Sequence, residues 1–133
     1  MKKVFTVLII GTLLLLAGCA VKSTVSTTGI PTAAPTLPTN SIDSVDANSF
    51  RVIADAYAFL QPIQQAVKAG TMTLSAGQKA ALNDVITAYN TAYTLGIAYH
   101  SKVLTDATVL TAATNALSLK LTTASTQIVA PTN

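Results

Sequence analysis

From Phe50 onward the large apolar residues recur three and four positions apart, and no other feature of the chain restricts its fold as tightly. Phe50, Ile53, Tyr57 and Leu60 keep this spacing, and Ile63 and Val67 continue it. Side chains so placed line one face of an α-helix. Pro62 falls inside the run. Its ring clashes with the carbonyl four residues back and it donates no hydrogen bond. The spacing therefore predicts a kink or break at 59–61, then a short second segment closed by Gly70, a residue suited to a helix C-terminus. A second stripe comprises Leu82, Val85, Ile86, Tyr89, Tyr93 and Ile97 and reaches 100–102. It opens on Ser75 and Gln78 at capping-box spacing, where hydroxyl and amide satisfy free backbone donors of the first turn. A third begins at Thr105 or Asp106, either of which can cap it. Its expected buried side is Val109, Leu110, Ala113, Leu117, Leu121, Ala124 and Ile128, and Pro131 closes the chain. Its many threonines are mediocre helix formers, so a strand is the alternative; the three- and four-residue spacing favours helix.

Three amphipathic segments joined by short loops each leave an apolar face that must be covered. The expected fold class is all-α, a small antiparallel three-helix bundle over 45–130. A core of this size sits near the lower limit for a chain folding alone, so self-association would be in keeping with it.

The first residues follow a different pattern. Met1-Lys2-Lys3 is a cationic head, and 4–17 is apolar apart from Thr6, Gly11 and Thr12. This is the layout of an export signal, shorter than the roughly 20 apolar residues that cross a bilayer. The run ends in Leu16-Ala17-Gly18-Cys19, with the only cysteine of the chain. The stretch resembles the lipobox of bacterial lipoproteins, a resemblance confined to residues 1–20. It implies cleavage between Gly18 and Cys19, removal of 1–18 as a signal peptide, and lipidation of the Cys19 thiol and amine. A lipidated Cys19 also accounts for a lone cysteine in an exported chain, and two or three acyl chains anchor a protein firmly. Ala20 is not the aspartate that in this family commonly marks inner-membrane retention. The resemblance thus points to the periplasmic face of the outer membrane, with the inner membrane and the cell surface as alternatives.

Residues 19–44 form the expected tether, with Pro31, Pro35 and Pro38 among many Ser and Thr. Such a composition buries too little apolar surface to offset chain entropy. As a coil it would average roughly 25 to 30 Å end to end, and about 75 Å drawn out as polyproline.

Removing 18 of 133 residues takes Lys2 and Lys3 away, and six cations then face five aspartates, so the formal charge falls from +3 to +1. No basic cluster remains of the kind nucleic-acid binding requires. Glutamate is absent. The five aspartates lack metal-loop spacing, His100 is the only histidine, and no Gly-rich phosphate loop or G-x-S-x-G elbow occurs. No catalytic, cofactor or metal site is expected. Tyr89, Tyr93 and His100 fall on roughly one side of the second helix, as either core aromatics with hydroxyls at the rim or a contact patch. The expected role is a non-catalytic interaction or structural module, with another envelope protein or a second copy as partner. The alternatives are a phage or prophage lipoprotein acting in lysis or superinfection exclusion, and a binder of a small hydrophobic ligand.

Overall fold

A computed structural model describes residues 36–129 of the chain, so the signal-like segment, Cys19 and most of the tether lie outside the described residues. Three helices follow one another: α1 (Ser44–Lys68), α2 (Ala76–His100) and α3 (Ala107–Gln127). Each starts where a short polar side chain takes up free backbone donors. Asp43 accepts from the Asp46 amide and Asp106 from the Thr108 amide. Ser75 and Gln78 form the full reciprocal capping box.

The helices pack as an antiparallel bundle, each touching the other two. Tyr99, near the end of α2, bonds Asp43 ahead of α1, and Gln78 at the start of α2 bonds the Gln127 carbonyl at the end of α3. Ser49 of α1 meets Thr114 of α3. Thus α1 and α3 run parallel, with α2 antiparallel between them. Leu37 already packs against the core, so the chain, coming from the expected tether, enters the bundle at the end where α1 and α3 begin. No helix among the described residues is long and apolar enough to cross a membrane.

The core is Phe50, Ile53, Tyr57, Leu60 and Ile63 of α1 against Leu82, Val85, Ile86 and Tyr89 of α2, closed by Leu117, Ala124 and Ile128. Gly96 is also buried; a Cβ there would lie 3.3 Å from Ile53 and 3.5 Å from Phe50. Its missing side chain lets α1 approach α2 closely.

Two sequence expectations are corrected. The predicted break at 59–61 does not occur, and α1 runs through Pro62 to Lys68. Buried residues on both sides of the proline, from Phe50 to Ala66, share one face, so packing holds the helix together. The carbonyl deprived of its donor belongs to Ala58, which is exposed and within reach of water. Secondly, Val109 and Ile97 lie at the surface, outside the stripes assigned to them. Asp46, Ser49 and Thr114 are buried as well.

Both interhelical turns use the Schellman arrangement. After α1, the Gly70 amide donates to Val67 and the Thr71 amide to Ala66. After α2, the Lys102 amide donates to Tyr99 and the Val103 amide to Ala98. The turn residue is left-handed in both, with φ +73 at Gly70 and 61 at Lys102. Glycine adopts this conformation freely, whereas a lysine does so at a cost.

Candidate functional site

Where the chain enters the bundle, polar side chains gather around the buried Asp46, Ser49 and Thr114, with Asp43 exposed beside them. Asp43 holds two elements at once: one carboxylate oxygen caps α1, 2.9 Å from the Asp46 amide, and the other accepts the Tyr99 hydroxyl at 2.7 Å. The backbone amide of Asp46, followed by the Tyr99 hydroxyl, holds the Asp43 carboxyl below the usual range. The same bond, with lesser help from burial, raises the Tyr99 phenol above its ordinary value.

Asp46 is fully buried. Its Oδ2 accepts the Ile42 amide at 2.9 Å and the His100 Nδ1 hydrogen at 2.8 Å. Phe50 sets its ring against the edge of His100, with centroids 5.9 Å apart. Beside this pair, Ser49 donates to Val45 at 2.7 Å. The Thr114 hydroxyl donates to Leu110 at 2.8 Å with Ser49 Oγ at 3.2 Å. Ser49 and Thr114 thus spend their hydrogens on their own helices, and the second Asp46 oxygen, Oδ1, is buried without a partner among the described residues.

The arrangement is a set of fastenings. Asp46 and His100 have the carboxylate–imidazole geometry that orients a general base, but the nearby hydroxyls are engaged elsewhere: Ser49 with Val45, Thr114 with Leu110 and Tyr99 with Asp43. Among the described residues no cluster of three or more His, Cys, Asp or Glu side chains could hold a metal ion.

Of the residues singled out in the sequence, Tyr89 and Tyr93 come together and His100 does not join them. The two tyrosine rings stack at 6.1 Å with planes 6° apart, while His100 turns to Asp46 and Phe50 of α1. Seven residues of helix separate Tyr93 from His100 by about 10 Å, enough to put them in different layers of the bundle. The expectation that the hydroxyls reach the rim fails for Tyr89, whose hydroxyl is buried without a partner among the described residues. Burial, with the nearby Tyr93 and Tyr57, pushes the Tyr89 phenol up to about 12. Asp46 and Thr114 were missed as site residues because short polar side chains at helical spacing read as surface. Cys19 and Gly18 lie outside the described residues.

The outer surface offers a second feature. A shallow groove of about 440 Å³ runs between Ala80 and Ala81 of α2 and Leu119 and Thr123 of α3, and Lys120 crosses it to Asp84 at 2.7 Å. Another, of about 420 Å³, lies along Thr91 and Leu95 of α2. Both open to solvent. No protein-family model, curated protein or solved structure matches the chain.

Proposed function

We propose that the protein is a lipid-anchored envelope protein whose helical bundle works as a non-catalytic interaction module. The observation that carries this reading is the Leu16-Ala17-Gly18-Cys19 stretch behind a cationic head and an apolar run. In this reading Cys19 becomes the acylated first residue, Ala20 directs it to the periplasmic face of the outer membrane, and the tether gives the bundle reach. Two features of the bundle support an interaction role: its polar side chains are used in fastening, and α3 leaves an uncharged face exposed.

The test is the intact mass of the protein extracted from membranes with detergent, with the inner and outer membranes separated first. A mass of 19–133 plus acyl chains, found in the outer membrane and lost in Cys19→Ser, is the expected result. An unmodified full-length mass would overturn the anchor. A second reading, binding of a small hydrophobic molecule, draws on the buried Tyr89 hydroxyl that lacks a partner. It requires a ligand to copurify with the full chain and to be diminished in Tyr89→Phe.

A further inference from the structure

The partner can be named from α3. Only one of its residues, Lys120, is charged, and that lysine is engaged with Asp84. Leu110, Thr114, Leu117 and Ala124 face the core. One residue back around the helix, about 100° away, runs a second stripe of Val109, Ala112, Ala116, Leu119, Thr123 and Thr126. All six are exposed, Val109 by 42% and Leu119 by 67%. Their spacing alternates between three and four, the period by which two helices lie along each other over many turns.

The threonines of this stripe do not depend on water for their donors. Thr123 donates to the Leu119 carbonyl at 3.0 Å and Thr126 to the Thr123 carbonyl at 2.7 Å. With hydroxyls satisfied by their own helix, these residues can be covered without stranding a donor. The stripe therefore combines two large apolar residues, two alanines and two self-satisfied threonines.

We infer that this stripe binds the same stripe of a second copy, the two α3 helices lying parallel. The orientation comes from where the tether joins. It enters at the end where α1 and α3 begin, so two copies held to one bilayer stand the same way up. A two-fold axis along the bundle then sets each stripe residue against its own counterpart. Such an arrangement excludes charge from the contact. The exposed face of α1 would set Arg51 against Arg51 and Asp55 against Asp55, and that of α2 Asp84 against Asp84, whereas the α3 stripe sets no charge against its like. Ala112 and Ala116 permit close approach at the centre, with Val109 and Leu119 flanking them. A one-helix contact falls short of the roughly 1,600 Å² of a typical stable interface. Tethering offsets this, because binding between held partners proceeds at an effective concentration on the order of millimolar. The inference identifies the partner in the proposed function and rests on that reading for the parallel orientation and for this concentration.

The experiment uses the full chain in intact membranes and a short bis-maleimide cross-linker. Ala116→Cys is expected to give a species of twice the chain mass. Ala58→Cys, on the exposed α1 face, is expected to give at most a tenth as much. Leu119→Asp added to Ala116→Cys should lower the yield at least tenfold with helical circular dichroism unchanged. Equal cross-linking at both positions, indifference to Leu119→Asp, or an adduct of Ala116→Cys with a different protein would each overturn the inference. The unsubstituted chain separates the two readings. Cross-linking through its own Cys19 would show a free thiol and defeat the anchor, and the stripe would then be tested by Ala116→Cys in a Cys19→Ser chain.

Discussion

The two ends of the bundle are closed by different chemistry. At the tether end, Asp43, Asp46, Ser49, Tyr99, His100 and Thr114 are joined by directed bonds. At the far end, apolar residues do most of the closing: Leu74 and Ile128 are buried in the core cluster with Leu82, a single side-chain bond, Gln78 to the Gln127 carbonyl, joins α2 to α3 at the surface, and Gly70 turns the chain without strain. Apolar contacts tolerate small displacements, since their energy follows the area covered. Hydrogen bonds depend on distance and angle. The tether end should thus be the more sensitive to single-atom changes, and the far end to changes of volume or charge.

The largest effect that would break this contrast is Leu82→Asp. Leu82 is fully buried, and an unpaired carboxylate there should abolish the cooperative thermal transition and the helical circular dichroism. An unchanged spectrum would mean that this face of α2 is not the core. Next comes Asp46→Ala, which leaves the Ile42 amide and His100 Nδ1 without their acceptor. It should lower the unfolding free energy in urea by about 1 to 3 kcal/mol for each donor left without its acceptor. The nearly isosteric Asp46→Asn should cost about 1 to 3 kcal/mol, more than Ile128→Val at the far end, for which about 0.5 to 1.5 kcal/mol is expected. The reverse order would remove the distinction between the ends.

The two turns make a finer comparison because the same bonding pattern is built on different residues. Lys102→Gly should stabilise the protein by up to about 1 kcal/mol and Gly70→Ala should destabilise it by about as much, as read from paired urea midpoints. Equal responses would show that the strain at Lys102 is relieved locally.

The smallest effects concern titration. Tyr99 has a raised pKa in the folded state, so its bond to Asp43 contributes below the unfolded value of 10.0 and is lost as pH climbs through the folded value. Asp43 has a lowered pKa, so its contribution is present above the unfolded value of 3.8 and lost as pH falls through the folded value. Tyr89 likewise favours the folded state until pH passes from 10.0 towards about 12. Phenolate absorbance should show a late component near 12 that Tyr89→Phe removes. Because the buried hydroxyl lacks a partner, that variant should be as stable as the parent or more so; destabilisation would point to a hidden bonding group.

Much of the fold was legible because it rests on spacing and capping. The α1 face from Phe50 to Ile63, the Ser75 and Gln78 box, and Asp106 as a cap are all local patterns, and the helices follow them. What could not be read depends on contacts distant in sequence. The passage of α1 through Pro62 follows from a shared buried face on either side. Val109 and Ile97 count as core by their chemistry, yet three helices leave part of each circumference uncovered. His100 lies on the expected side of α2, but its partner is settled by Asp46, 54 positions earlier. The α3 stripe was hidden in the sequence because threonine resembles a solvated residue until its hydroxyl is seen bonded to its own helix.

Three helices among the described residues give the bundle a direction. The chain comes in beside Leu37 and leaves beyond Ile128, at opposite ends of a body about 37 Å long, as 25 helical residues dictate. If Cys19 carries the proposed lipid, the end of α3 is the part of the bundle farthest from the bilayer. On that reading, an epitope joined behind α3 would stand clear of the bilayer by about the length of the bundle, and its distance from the lipid would measure the reach that the segment ahead of α1 adds.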